Sequence, residues 1–209
     1  MNKTLLQVNT SLFSDAGQSS TLANEFVAGW KKRNAGAAVI KRDLAKEPVP
    51  HLTAERFQAF ITKPEDRTAE QRAEAAYSDA LIDELKRADV VVLGVPLYNF
   101  DVPSTLKAYF DHIGRAGVTF RYTDKGPVGL LTGKKVYIFA ARGGVYAGKP
   151  ADTQTTYLKN FLGLIGITDV EFVYAEGIAI SVAARDAAIA QAKKAIVQLN
   201  ARTTEPLAA

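Results

Sequence analysis

Short apolar runs alternate with amphipathic stretches along this chain of 209 residues. The runs lie at about 3–9, 37–42, 89–95, 134–141 and 170–175, and they are rich in Val, Ile and Leu. Such strands are typical of parallel sheets that helices cover on both faces. Five strands alternating with helices predict an α/β fold, a three-layer sandwich around a doubly wound parallel sheet.

The first amphipathic stretch shows where its helix begins. Leu22, Phe26 and Trp30 recur at every fourth position behind Ser19 and Ser20. This spacing predicts a helix with one apolar face, capped by a serine.

Later stretches carry further helix starts. Thr68 and Gln71 have the spacing of a capping box, and an inward stripe beginning at Tyr77 follows them. Pro103 is expected in the first turn of the next helix. Further helices are predicted over about 152–164 and 183–200.

Residues 45–66 contain three prolines and a short helical patch between the second strand and the long third helix. We expect them to be an excursion from a single domain that spans 1–202. The last residues, 203–209, are expected to be a disordered tail.

Composition excludes several classes of chemistry. The chain has no cysteine, which rules out disulfides, thiolate nucleophiles, iron–sulfur clusters and Cys-based zinc sites. Its only histidines, His51 and His112, do not have the spacing of a metal site, so we expect no bound metal. Redox chemistry would therefore require an organic cofactor or a metal that is held without thiolates.

The net charge of +4 comes from 26 basic and 22 acidic residues. The basic residues occur in short pairs, so we expect no nucleic-acid partner, and a mild positive balance suits anionic small molecules. The N-terminal segment lacks the features of a signal peptide or membrane span. No membrane association and a cytoplasmic location are the resulting expectations.

Five strands with one helix each fit the flavodoxin-like order 2-1-3-4-5. In such sheets ligands bind beyond the carboxyl ends of the strands, where the strand order reverses. The loops after strands one, three and four should therefore form the site.

The first of these loops, 9–23, lacks the glycine motifs of dinucleotide and nucleoside triphosphate sites. Its hydroxyl and amide residues lead directly into a helix, whose free N–H groups favour a phosphate. A plain serine cap is the alternative.

The second loop lies between Pro96 and Pro103 and holds Leu97 to Phe100 with little freedom. Its apolar, aromatic and amide groups suit the face and polar edge of a flat heteroaromatic ring. Taken alone, the loop could equally consist of core residues and a turn-forming Asn99.

The third loop, 140–152, contains an apparent G-x-x-x-x-G-K motif that ends at Lys149. Pro150 follows, and it offers neither a hydroxyl for magnesium nor an N–H for a phosphate, so a triphosphate site is disfavoured. We expect Gly143 and Gly144 to let the main chain approach a ligand edge, and Arg142 to lend a positive group.

Three segments resemble one known family. They are "PLYNFDVPSTLKAYFDHIGRAGVTFRYTDKGPVGLLTGKK", "RGG" and "TYLKNFLGLIGITDVEFVYAEGIA", and they resemble the FMN-dependent NADH:quinone oxidoreductases known as azoreductases. The resemblance implies bound FMN, NADH or NADPH as co-substrate, and quinones and azo compounds as acceptors of two electrons in a ping-pong cycle. It requires no catalytic side chain, because the flavin carries the chemistry.

The resemblance also assigns residues. It implies a phosphate segment formed by Ser11 and residues 17–19, and two ring segments, at residues 97–100 and 141–144. It also implies a homodimer with the flavin sites at the subunit interface, in which Tyr122 and Leu164 shape or gate the substrate pocket. The implied cofactor-binding residues are Ser11, Gly17, Gln18, Ser19, Leu97, Tyr98, Asn99, Phe100, Ala141, Arg142, Gly143 and Gly144.

Three of these positions depart from relatives in the family. Leu97 stands where many relatives have Met, Gly17 where some have Ser, and Ala141 where some have Ser, so that only the backbone of residue 141 can bond the ring. A flavodoxin-like electron carrier that docks on protein partners is the main alternative. The chain's length and its positive charge favour the enzyme.

Overall fold

Five parallel strands form the central sheet of the computed structural model, which describes residues 3–202. The five strands are β1 (Thr4–Asn9), β2 (Ala38–Asp43), β3 (Val90–Pro96), β6 (Lys135–Arg142) and β7 (Asp169–Glu176). Two further strands, β4 (Phe120–Thr123) and β5 (Gly126–Gly129), form a separate antiparallel hairpin. The sheet order is β2-β1-β3-β6-β7. The predicted flavodoxin-like α/β fold is confirmed, since these five strands have the order 2-1-3-4-5.

Helices cover both faces of the sheet. They are α1 (Gln18–Arg33), α2 (Ala54–Ile61), α3 (Ala69–Arg87), α4 (Ser104–Ile113), α5 (Thr153–Leu164) and α6 (Val182–Arg202). Leu5 points into the core under α1 and α6, whereas its neighbour Leu6 packs with α3, α4 and α5. All seven residues of β3 are buried, because this strand is central and covered on both sides.

The predicted helix starts are partly confirmed. Thr68 and Gln71 form the expected capping box of α3. The serine cap of α1 was a wrong prediction: Gly17 occupies the cap position, and both Ser19 and Ser20 lie buried in the first turn. The helix thus begins two residues earlier than a cap at Ser19 would allow.

Two expectations about α3 and α4 are also corrected. Pro103 lies just before the first residue of α4, where its fixed φ sets the entry of the helix. Tyr77 is 38% exposed rather than inward, and one side of its ring packs edge-on against His112, with centroids 5.6 Å apart.

The excursion at 45–66 contains α2 and a 3-10 turn over Pro64–Asp66. The helix packs against α3, and Arg56 Nε donates to Glu74 Oε2 at 3.0 Å. The tail predicted at 203–209 lies outside the described residues. Among residues 3–202, no helix has both the length and the apolar character that crossing a membrane requires.

The antiparallel hairpin β4–β5 was not predicted. It rests on the end of α5, where the backbones of Gly129 and Gly166 touch: a Cβ added at Gly129 would lie 2.0 Å from Gly166 N. Leu131 N donates to Ile165 O at 2.9 Å beside this contact. The hairpin is therefore fixed against the helix that carries Leu164.

Candidate functional site

The three predicted loops meet at the carboxyl edge of the sheet. Thr10 joins the first loop to β3, since its N and Oγ1 donate to Gly94 O at 3.1 and 2.9 Å. Leu97 N donates to Ala141 O at 3.0 Å, which joins the second loop to the third. This is the edge at which the strand order reverses and where ligands of such folds bind.

The start of α1 has the properties of a phosphate site. The first N–H groups of a helix lack partners within the helix, and the dipole there favours an anion. Within residues 3–202, the hydroxyls of Ser19 and Ser20 are fully buried and have no hydrogen-bond partner. Buried polar groups are normally satisfied, so these hydroxyls fit a segment built for a ligand.

Ser11 and Gly17 face each other across the phosphate segment. A Cβ added at Gly17 would lie 2.0 Å from Ser11 Oγ. The missing side chain therefore leaves room for the Ser11 hydroxyl, which accepts from Phe13 N at 3.2 Å.

A polar network that sequence reasoning missed anchors this segment. Asp15 lies in the 3-10 turn Ser14–Ala16, and its Oδ1 accepts from Lys41 Nζ at 2.7 Å and Asn24 Nδ2 at 3.0 Å. The hydrogen bonds from Lys41 and Asn24 lower the pKa of Asp15 to about 2. The turn before α1 is thereby fastened to β2.

The ring segment is a two-residue turn. Tyr98 and Asp101 exchange both backbone hydrogen bonds at 3.0 Å, and Asn99 and Phe100 between them have φ of 50° and 66°. Positive φ at both central positions is found in type I′ turns. It suits Asn but is costly for Phe, and such strain clusters at ligand sites.

Arg142 does not lend a free positive group to a ligand, which corrects the expectation for its side chain. The guanidinium is fully buried and forms ion pairs with Asp152 at 3.0 Å and Glu176 at 3.1 Å. Only the backbone from Ala141 to Gly144 is therefore available to contact the edge of a ligand.

The apparent triphosphate motif at 143–149 has no phosphate cradle. Glu176 Oε1 accepts from the backbone N–H groups of Tyr146 and Ala147, both at 2.9 Å. A carboxylate thus occupies the position at which a P-loop would hold a phosphate. The helix that follows starts only at Thr153.

Tyr122 and Leu164 line a common cavity of about 750 Å³. Its walls include Phe57, Phe60 and Phe161, and Tyr122 is 75% exposed. Leu97, Tyr98 and Asn99 line a different cavity of about 740 Å³. Lys107 and Tyr157 border both, so within one chain the two groups of predicted residues are adjacent but separate.

A family model described as having a flavodoxin-like fold matches residues 3–199. The FMN-dependent NADH:quinone oxidoreductase of Cellvibrio japonicus is 60% identical over 195 residues, which are 93% of this chain and 97% of that protein. FMN-dependent NADH:quinone oxidoreductase 6 of Burkholderia lata is 53% identical, over 92% of this chain and 98% of its own length.

Solved structures are similar over the same extent. An azoreductase from Bacillus anthracis matches with a TM-score of 0.87 and 30% identity, over 95% of this chain and 98% of its own. An FMN-dependent NADH-azoreductase from the same organism, solved in complex with FMN, has a TM-score of 0.83 and 26% identity, over 95% and 99% of the two chains.

Proposed function

This chain belongs to the FMN-dependent NADH:quinone oxidoreductases, a family with the flavodoxin-like fold, and we propose that it reduces quinones and azo compounds by a two-electron ping-pong cycle. The observation that carries the proposal is the meeting of two segments at one edge of the sheet. One is a helix start with two buried serine hydroxyls that have no partner among residues 3–202, and the other is the strained turn at Asn99–Phe100.

The residues present fit FMN in two parts. Ser11, Gly17, Gln18 and Ser19 would hold the phosphate, with the helix start supplying N–H donors and a positive dipole end. The segment from Leu97 to Phe100 would take the ring. The backbone of Ala141, Gly143 and Gly144 would approach its polar edge, while the Arg142 side chain remains within the protein.

When bound, FMN would supply the chemistry by taking a hydride from NADH or NADPH and then giving two electrons to an acceptor that also takes up protons. The chain's own task is to bind and orient. Leu97, Tyr98 and Phe100 would offer apolar and aromatic surface to the flavin ring. Asn99, exposed at the tip of the turn, offers an amide to polar ring atoms.

We further propose a homodimer in which Tyr122 and Leu164 of one subunit complete the substrate pocket of the other. An aromatic-walled cavity supports it, because its lining residues Phe57, Ile61 and Tyr122 are 52%, 58% and 75% exposed and a contiguous exposed apolar patch marks an interaction surface. Light scattering should give twice the chain mass of 22.6 kDa. A monomer with full activity would contradict this part.

Steady-state kinetics with NADH and a small quinone test the cycle. A ping-pong mechanism predicts parallel double-reciprocal lines without any added protein partner. Intersecting lines would contradict the cycle, and NADH oxidation that needs a partner protein would favour the electron carrier.

Variants test the ring segment. Asn99→Ala and Tyr98→Ala should weaken FMN retention or slow flavin reduction, whereas Lys63→Ala, at an exposed position remote in sequence, should match the unaltered protein. Equal effects at the three positions would remove the turn from the site.

A further inference from the structure

Arg142 is the centre of a buried polar network at the end of β6. Its Nε donates to Gln154 Oε1 at 3.2 Å, and its Nη2 donates to Thr155 Oγ1 at 2.8 Å. Asp152 and Glu176 neutralise its charge, and the guanidinium lies over the ring of Tyr174, 4.6 Å from the centroid. Five hydrogen-bonding hydrogens in a rigid plane give Arg142 a fixed orientation.

Gln154 connects Arg142 by hydrogen bonds to the residues on either side of the ring segment at residues 97–100. Its Nε2 donates to Pro96 O at 2.8 Å and to Asp101 O at 3.3 Å. The amide has one possible orientation, because arginine can only donate and carbonyl oxygens can only accept. Gln154 is fully buried, so no water competes for these bonds.

The first residue of α5 makes a second contact with the same turn. Thr153 Oγ1 donates to the carbonyl oxygen of Phe100. The start of α5 therefore holds three carbonyl groups that lie before, within and after the two left-handed residues Asn99 and Phe100. Left-handed non-glycine residues persist only where their surroundings determine the backbone.

We propose that Gln154, oriented by Arg142, is a positioning residue that keeps the Asn99–Phe100 turn in its strained conformation. The segment between Pro96 and Pro103 is thus restrained by the start of α5, and not only by its own prolines. The inference rests on the proposed function, since it assigns the purpose of the turn to the flavin ring.

Two substitutions separate positioning from simple packing. Gln154→Glu keeps an acceptor for Arg142 but loses both N–H donors to the carbonyls of Pro96 and Asp101. Thr153→Val removes the contact with Phe100 at an exposed position, where folding is not at risk. Tyr174→Phe is the matched control, because it removes the hydroxyl partner of Thr155 in the same network without touching the turn.

The readouts are the FMN dissociation constant, the flavin midpoint potential and the melting temperature of the apoprotein. Gln154→Glu is expected to weaken FMN binding by about tenfold or more and to shift the potential, because two buried carbonyls lose their donor. Thr153→Val should act in the same direction by a smaller factor. Tyr174→Phe should change neither FMN binding nor the potential.

Two results would overturn the inference. One is an FMN dissociation constant and potential for Gln154→Glu equal to those of the unaltered protein. The other is a loss of FMN binding in Tyr174→Phe as large as in Gln154→Glu, which would make the effect one of general packing. Unaltered protein that binds no FMN would instead overturn the proposed function, so the two failures are distinguishable.

Discussion

Gly129 and Gly166 touch backbone to backbone, and a Cβ on Gly129 would lie 2.0 Å from Gly166 N. This contact joins the β4–β5 hairpin, which carries Tyr122, to the end of α5, which carries Leu164. Gly129 and Gly166 are far apart in the sequence. Only backbone atoms meet at the contact, so no side chain can move aside to make room for a Cβ. The closeness of Tyr122 and Leu164 therefore depends on two glycines.

Gly129→Ala should destabilise the chain by about 1–3 kcal/mol, as an extra methyl group does in a tightly packed place. Gly163→Ala, on α5, is the control, since an added Cβ there meets nothing within 4 Å. That substitution should stabilise by up to about 1 kcal/mol through helix propensity. Urea unfolding measures both, and equal stability of the two variants would contradict the close contact.

Phe100→Gly should separate stability from function. A left-handed conformation costs a non-glycine residue about 1–2 kcal/mol, and its relief should roughly offset the greater flexibility of glycine in the unfolded chain. Apoprotein stability should therefore stay within about 1 kcal/mol of the unaltered protein, while FMN binding weakens.

Phe13→Gly is the comparison for that variant, because Phe13 is also an exposed phenylalanine but has an ordinary φ of −93°. The Phe13→Gly variant should lose about 0.5–1 kcal/mol of unfolding free energy, because the substitution relieves no backbone strain. If urea unfolding shows the same loss for both variants, Phe100 is not strained.

Asp15 should make stability depend on acid pH. Its pKa is lowered from 3.8 to about 2 in the folded chain, so its contribution is present above about pH 4 and lost as pH falls towards 2. The difference in melting temperature between the unaltered protein and Asp15→Asn should shrink over that interval.

The contribution of Asp15 to the free energy of unfolding is less than about 1 kcal/mol. The reason is that its side chain is half exposed and solvent screens its ion pair with Lys41. Asp124→Asn, in the exposed turn between β4 and β5, is the control. A difference for Asp15→Asn that stays constant between pH 2 and 4 would contradict the lowered pKa.

The sheet and its loops could be predicted from the sequence because their causes are local. An apolar run such as 89–95 indicates a buried strand by itself, and strand order then places the loops on one edge. The capping box at Thr68 is equally local. The turn at Asn99–Phe100 was located for the same reason, although its left-handed residues were not.

The features that were missed depend on contacts between distant segments. The β4–β5 hairpin has mostly exposed residues and so lacks an alternating apolar pattern. Arg142 meets Asp152, Gln154 and Glu176 only after β6, α5 and β7 have assembled, and nothing in "RGG" indicates a buried ion pair. The positive charge of Arg142 was therefore predicted to face a ligand.

The most direct test of the site is an anaerobic titration of the purified protein, followed by visible absorbance. We predict one FMN per chain, whose absorption bands are bleached by one equivalent of NADH and return on addition of a small quinone. A protein that takes up no FMN, or whose bound FMN is not reduced by NADH or NADPH, would contradict the proposed function.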